Sequence, residues 1–583
     1  MLPTTAQEMQ QRRWKQADII IVTGDAYVDH PSFGVALIGR WLEKLGYRVA
    51  VLAQPDWQSV DAFRSLGPPR LFWAITSGAI DSRLNDYASM GGRRKKDVYS
   101  PGGKLGLRPR SPLLVYSARV REAYKGIPII IGGLEASLRR FVHYDYIENK
   151  LKRSVLIDSK ADLLVHSMGE RAIKEIASRI AAGQTINDLV NIPGTAYLLR
   201  KNVTAPADAL VLPSLAEQNN DPTLAMAAHK TFEAQAHPNG RPLIQNQDPC
   251  TIVIMPPSEP LTTEEMDALY ALPFTRCYHS KYEKLGGVPA LEPIRFSITT
   301  HRGCFGGCSF CSIHLHQGKH ISSRSIESIL TEAQSFIEDK AFRGTISDIG
   351  GPTANMYGMG CASANTCPNT SCLAPSVCKN LKPDFTPLKR LMRQLLKWRE
   401  GQKSKINIFV ASGVRYDLAM LDGEYIDLLV GCFTGGHLKV APEHYCPNVL
   451  IMMNKPSFDS FEKFEAIFNK ASQRAGKEQY LVSYFISAHP GCTADDALKL
   501  TEYLISRSLR PQQVQDFIPI PLTAATAMYV SGIDKNGKKI FIPKGHKEKL
   551  LQAALLQYCD PKNRKIVTDF LREKHRSDLI KKI

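Results

Sequence analysis

The chain has no apolar run long enough to span a bilayer and no secretory leader ahead of its cysteines; its first residues, Met1-Leu-Pro-Thr-Thr-Ala-Gln-Glu, are polar. The first absence excludes a helical membrane protein. The second argues against an oxidising compartment, so the cytoplasm is the expected location and the 13 cysteines are expected as metal ligands more than as disulfides. Acidic residues are also short, 56 against 74 Lys and Arg, for a net charge of +18. Half of that excess lies in residues 535–583, where 14 Lys/Arg face 5 Asp/Glu. This tail is poor in aromatics, with only Phe541, Tyr558 and Phe570, which counts against a base-stacking surface. The basic patch Arg93–Lys96 continues through Lys104 to Arg110 in a Gly/Pro-rich stretch. Such patches attract RNA, ribosomes or anionic cofactors by counterion release, and equally occur as plain solvated surface.

A chain of 583 residues has room for two to four domains. Over 1–200, short apolar runs such as Ala17–Thr23 and Arg48–Gln54 alternate with helical patterns such as Val35–Leu45. That alternation predicts an α/β, doubly wound, Rossmann-like domain whose ligands bind beyond the strand C-termini. Those ends carry Asp25, Asp29-His30-Pro-Ser-Phe-Gly34 and Gly132-Gly133. Residues 201–270 read as a linker or covering segment, with one helix near 223–236. Over 271–532, six strand–helix units predict a partial, open (β/α)6 barrel with its active site at the strand C-termini. From 533 the basic C-terminal region predicts a strand at Lys538–Pro543 and helices near 546–558 and 563–575.

The most informative pattern is Cys304-x3-Cys308-x2-Cys311, with Phe310 before the third cysteine, in a loop punctuated by Gly303, Gly306 and Gly307. It directly follows the first barrel strand. Three thiolates can hold three irons of a [4Fe–4S] cube and leave the fourth without a protein ligand. In S-adenosylmethionine (SAM) radical enzymes that open iron chelates SAM. A zinc site completed by His301, His314 or His316 is the competing reading of the spacing. Four more cysteines, Cys361, Cys367, Cys372 and Cys378, crowd one loop of the barrel region; they predict a second metal, an auxiliary Fe–S cluster or structural zinc. Cys250, Cys277, Cys432, Cys446, Cys492 and Cys559 are isolated and read as structural.

After the second strand, Gly350 and Gly351 offer backbone groups to the amino group of SAM, in the run Asp348–Tyr357. Radical SAM enzymes typically place Gly-Gly-Glu here; this chain has Gly-Gly-Pro. Ser412 and Arg415, at the end of the third strand, are candidate contacts to ribose hydroxyls or the methionine carboxylate. Lys439, Glu443 and His444 end the fourth strand, and His489-Pro-Gly491 the fifth.

Across almost its whole length the chain resembles the uncharacterised YgiQ-type radical SAM proteins. The resemblance is carried by Asp29–Gly34, Gly132–Arg140, His143–Tyr146, Arg295–Cys311, Asp348–Tyr357, Leu438–His444 and Ala524–Tyr529. It implies a [4Fe–4S] cluster on Cys304, Cys308 and Cys311 with exchangeable SAM, and no known reaction. The N-terminal domain also looks like the cobalamin-binding domain that precedes many radical SAM cores. There the motif is Asp-x-His-x-x-Gly, with the His on cobalt; here Asp29 and His30 are adjacent and Gly34 falls one residue late. The expectation is a retained fold with a different or lost ligand, ahead of cobalamin itself. Together these readings predict an enzyme forming a 5′-deoxyadenosyl radical from SAM, with a flavodoxin- or ferredoxin-like electron donor and an RNA or protein among the candidate substrates. The alternative is a metal-stabilised nucleic-acid or ribosome-binding factor without SAM chemistry.

Overall fold

Five short apolar runs, Ile19–Thr23, Val49–Ala53, Phe72–Thr76, Ile129–Gly132 and Leu163–Val165, pair in parallel. This computed structural model describes residues 1–583 other than 202, 362, 364, 365, 370, 512 and 513. In chain order the five strands lie 2-1-3-4-5, a doubly wound arrangement whose switch point falls between the first and third. All five residues of Ile19–Thr23 are buried, as expected of a strand covered by helices on both faces. Helices Gly34–Lys44 and Glu170–Ala181 turn apolar stripes toward the sheet.

The sheet does not stop at residue 200. Thr195–Leu198, Thr251–Ile254 and Leu243–Asn246 add antiparallel strands, and Leu210–Leu212 closes the edge, giving nine strands. The expected linker at 201–270 is thus corrected to a sheet extension with helices Leu215–Asn220, Leu224–Gln235 and Thr263–Tyr270. Its strands are three or four residues long and separated by polar turns, so their composition resembles a loop.

The second sheet is built from Ser297–Thr299, Thr345–Ile346 continued by Asp348–Gly350, Asn407–Ile408, His437–Glu443, Tyr480–Ser487 and Val514–Asp516. Successive members pair in parallel, joined between the third and fourth by a single bridge at Val414 and Val440. Helices Ile326–Glu338, Thr386–Glu400, Phe458–Arg474 and Ala494–Ser506 cover its outside. Their core includes Phe336, Leu391, Phe464 and Leu504, all essentially inaccessible to solvent. The C-terminal helices His546–Leu556 and Arg564–Glu573 add Leu555, Leu556 and Val567 to the same core. The expected strand at Lys538–Pro543 is corrected to an irregular segment with one bridge, Ile533 to Lys539. The β-prone run Ile540-Phe541-Ile542 imitates a strand there, but Pro543 ends it at once and cannot donate to a ladder. Among the described residues no helix is long and apolar enough to cross a membrane.

Candidate active site

The C-terminal ends of both sheets open onto one cavity of about 580 Å³. From the first sheet it is lined by Asp25, Thr76, Gly78, Gly132 and Gly133, and from the second by Thr299, His301, Asp348, Gly350, Gly351 and Ser412. The N-terminal contribution lies over the sheet's switch point. Asp25 is buried there, with Arg108 Nη1 3.0 Å from its Oδ1 and the Ala79 N–H donating to Oδ2 at 2.6 Å. Burial pushes its carboxyl up to about 6, against the opposing charge of Arg108.

Gly133 has φ +88°, and a Cβ there would lie 2.5 Å from the Thr76 Oγ1. The glycine is required by the backbone turn itself. Of the neighbouring motif, Pro31–Gly34 line the cavity and His30 does not. Both ring nitrogens of His30 are engaged, Nδ1 at 3.1 Å from the Ser32 nitrogen and Nε2 at 2.9 Å from Arg276 Nη1. Burial and Arg276 hold this imidazole neutral, with its pKa pushed down to about 3. Asp29 pairs with Arg40 at 2.7 Å and accepts the Thr275 N–H at 3.0 Å. The motif therefore ties the first domain to the segment entering the barrel, where Val28–Asp29 also pairs with Cys277–Tyr278.

On the barrel side, Gly350 and Gly351 are packed closely. A Cβ on Gly350 would meet Ser412 at 3.2 Å, and one on Gly351 would meet the His301 ring and carbonyl at 2.7 Å. The Gly350 carbonyl accepts from the Thr300 N–H at 2.7 Å and from its hydroxyl at 3.1 Å. Ser412 donates its hydroxyl to Asp348, whose other oxygen accepts the Ala411 and Ser412 N–H groups at 2.7 and 3.0 Å. Asp348 thus brings a carboxylate to this wall two residues before the Gly-Gly-Pro. Its position next to the glycines was the available signal for it in the sequence.

The cysteine loop lies beside this wall and is braced from several elements. The Cys304 N–H donates to the Gly318 carbonyl at 3.1 Å, and Asn454 Nδ2 to the Gly307 carbonyl at 2.7 Å. The Ser309 N–H donates to the Met453 carbonyl at 3.0 Å, while His489 Nε2 lies 3.2 Å from the Ser309 hydroxyl. Gly303 has φ +91°, with the His320 carbonyl oxygen 1.9 Å from where a Cβ would be. Cys304 Sγ lies 3.3 Å from Thr353 Oγ1, and Arg415 Nη1 is 3.5 Å from Cys308 Sγ. The rest of the Arg415 guanidinium is taken by Asp417, at 2.9 and 2.5 Å. Arg415 therefore belongs to the thiol loop and does not line the main cavity.

Burial raises the thiols of Cys304 and Cys311, and at Cys311 the neighbouring Cys308 and Cys304 add to the effect. Among the described residues no three His, Cys, Asp or Glu side chains converge around a single ion. The three histidines that would complete a zinc site have other partners or surroundings. His301 Nε2 lies 3.0 Å from the Thr353 carbonyl and His316 Nδ1 3.1 Å from the Ser137 hydroxyl. His314 lies in the field of Glu233, His229 and Lys535. Cys361, Cys367, Cys372 and Cys378 line a small cavity together with Lys319 and Phe305. That insertion is pinned to the first loop, the Cys372 N–H donating to the Phe305 carbonyl at 3.0 Å and the Ser371 hydroxyl to the Gly306 carbonyl at 2.8 Å. Lys439 is exposed, whereas Glu443 and His444 are buried, Glu443 3.9 Å from Lys455 and His444 3.5 Å from Cys492 Sγ.

Comparison with known proteins gives this geometry a class. The family model described as Radical SAM N-terminal matches residues 1–297, and a domain of unknown function, DUF3362, matches 512–582. The chain belongs to the UPF0313 family and carries the radical SAM N-terminal region over half its length. A UPF0313 protein of Methanocella arvoryzae is 46% identical over 581 residues, covering 99% of this chain and 96% of the relative. One from Geobacter sulfurreducens is 46% identical over 576 residues, 98% of this chain and 94% of the relative. The fold resembles that of TsrM, a radical SAM methyltransferase of Kitasatospora setae solved with tryptophan substrate and a SAM analogue. The TM-score is 0.50 at 14% identity, over 88% of this chain and 76% of that one.

Proposed function

We propose that the chain is a radical SAM enzyme that holds a [4Fe–4S] cluster on Cys304, Cys308 and Cys311 and acts on a substrate bound between its two sheets. The observation that supports this most directly is the braced three-cysteine loop at the end of the first barrel strand, beside the cavity where both sets of strand ends open. The donor set fits the group. Three cysteines on one braced loop supply thiolates for three irons of a cube and leave the fourth open, and a cation 3.5 Å from Cys308 Sγ offsets thiolate charge. When bound, the cluster supplies the electron that splits SAM into methionine and a 5′-deoxyadenosyl radical.

The chain's own groups hold and orient. With the Gly350 carbonyl committed to Thr300, the Gly351 carbonyl is the backbone acceptor left for the amino group of SAM. Asp348 fixes the Ser412 hydroxyl at the cavity wall, where ribose hydroxyls would meet it. Arg415 balances the cluster instead of reaching a carboxylate in the cavity. The four cysteines around Lys319 suit a second metal, iron–sulfur or zinc, adjoining the first loop through Phe305. A flavodoxin- or ferredoxin-like donor is the reductant this scheme needs. Cobalamin is the second reading, favoured by the position of the main cavity over the switch point of the 2-1-3-4-5 sheet. His30, committed to Arg276, is not the cobalt ligand in it.

The test is an electron paramagnetic resonance spectrum of anaerobically purified, reduced protein, with and without SAM. The expected result is a [4Fe–4S] signal that shifts on adding SAM and disappears when Cys304, Cys308 and Cys311 are changed to Ala. A cluster indifferent to SAM, or zinc in place of iron, would instead support the nucleic-acid or ribosome-binding factor.

A further inference from the structure

Behind the main cavity lies a second one of about 90 Å³, and the two share Ser167, Met168, Arg302, His316 and Gln317 in their walls. The smaller cavity is strongly basic. Its lining contains five arginines and lysines and five histidines against one acidic residue, Glu259, which is exposed and acts on His320. Two of the arginines are neutralised from outside, Arg302 by Glu170 at 2.6 Å and Arg171 by Glu265 at 2.5 Å.

Arg140 is not. It is 4% exposed and makes one hydrogen bond, from Nη1 to the Ser137 carbonyl, while its Nε has no partner. The rings of Phe141 and Phe232 each lie 5.1 Å from the guanidinium carbon; they attract a cation without cancelling its charge. Burial alone pulls the Arg140 pKa down to about 9, with no carboxylate offsetting it. The two histidines beside it, His166 and His316, are driven toward their neutral forms by burial, with the Arg140 charge adding to the effect. A buried guanidinium without a counter-charge is costly, so it needs a reason to be there. Arg140 ends the run Gly132–Arg140, whose glycines line the main cavity, and has itself no part in the reading of the cofactors.

We propose that Arg140 is the anchor of an oxyanion site, which takes the phosphate or carboxylate end of a molecule whose body lies in the main cavity. A guanidinium offers a planar fork of donors to such a group, and here the buried Nε is a donor without a protein partner. The His166 and His316 rings line the same cavity and feel its charge; the Ser137 hydroxyl is spent within the protein, donating to the Gly133 carbonyl at 2.9 Å, accepting the Ser167 N–H at 3.0 Å and lying 3.1 Å from His316 Nδ1. The site owes nothing to the cluster and holds whether or not SAM is cleaved.

Isothermal titration with inorganic phosphate and with acetate, at an ionic strength fixed by potassium chloride, tests it on the full chain. The wild type should bind at least one of the two, and the preferred probe reports which oxyanion the site takes. Arg140→Met should weaken that binding about tenfold or more, while melting no lower than the wild type in chloride because an uncompensated charge has been removed. Absence of binding by the wild type, or equal binding by the Met variant, would overturn the proposal. If Arg140→Met does not fold, Arg140→Lys decides the matter. It keeps the charge but loses the fork, and affinity equal to wild type would likewise refute the site.

Discussion

A single added carbon reports on how the cysteine loop is held. Gly303 combines a left-handed backbone with a neighbouring carbonyl oxygen 1.9 Å from the missing Cβ, and that oxygen belongs to backbone and cannot swing away. Gly303→Ala should therefore cost about 2–4 kcal/mol locally and remove most of the iron bound per chain, measured by metal analysis after reconstitution. Arg415 tests the electrostatics of the same loop. Its charge beside Cys308 favours the reduced form of a cluster, and Asp417 would be left unbalanced without it. Arg415→Gln should lower the midpoint potential by about 60 mV or more, the one-electron equivalent of a tenfold change, in a titration followed by paramagnetic resonance. His30 teaches a complementary lesson, because its contacts with Ser32 and Arg276 explain a motif residue that a sequence presents as a ligand contact.

At the scale of strands and helices, long and periodic segments were readable and short ones were not. Ile19–Thr23 and Ala494–Ser506 announce themselves by unbroken apolar content and by regular spacing. Leu210–Leu212, with only one of its three residues buried, offers nothing that separates it from a loop, and it is specified by the strand beside it. The same limit applies to Arg140 and Glu170, whose importance depends on which charges are absent or present across space. The extension also carries Leu224–Gln235, whose Glu233 pairs with Lys535 at 2.9 Å. Burial would raise this carboxyl, but His229, with Nε2 3.5 Å from Glu233 Oε1, and the charge of Lys535 outweigh it and bring the pKa to about 2. Because the folded value lies below the unfolded one near 4.5, the stabilisation is complete above pH 4.5 and is lost as pH falls through about 2. Glu233→Gln should thus lower stability by about 1–3 kcal/mol at pH 7, and its melting curve should approach that of the wild type below pH 4.5.

For the whole molecule, the two sheets act as one unit through buried charge. Arg302 precedes the cysteine loop, and its partner Glu170 begins a helix of the other domain. Glu170→Gln leaves that guanidinium unpaired and should cost about 3–5 kcal/mol, read as a lower melting temperature together with reduced iron loading. The basic tail is likewise built into the barrel. Cutting it off would strip Leu555, Leu556 and Val567 from the core, so a truncation cannot separate RNA binding from unfolding. Changing the exposed Lys538, Lys539, Lys547 and Lys562 to Gln leaves that core intact. If the tail engages RNA, this variant should weaken binding and flatten its dependence on salt concentration, in a fluorescence anisotropy titration.

The pairing of Arg302 with Glu170 also bears on the order of events during synthesis. The N-terminal sheet leaves the ribosome before the cysteines do, and domains tend to fold as they emerge. When residue 302 appears, its carboxylate partner is already in place on a finished surface. The nascent thiols are then received by a template that fixes where their loop begins.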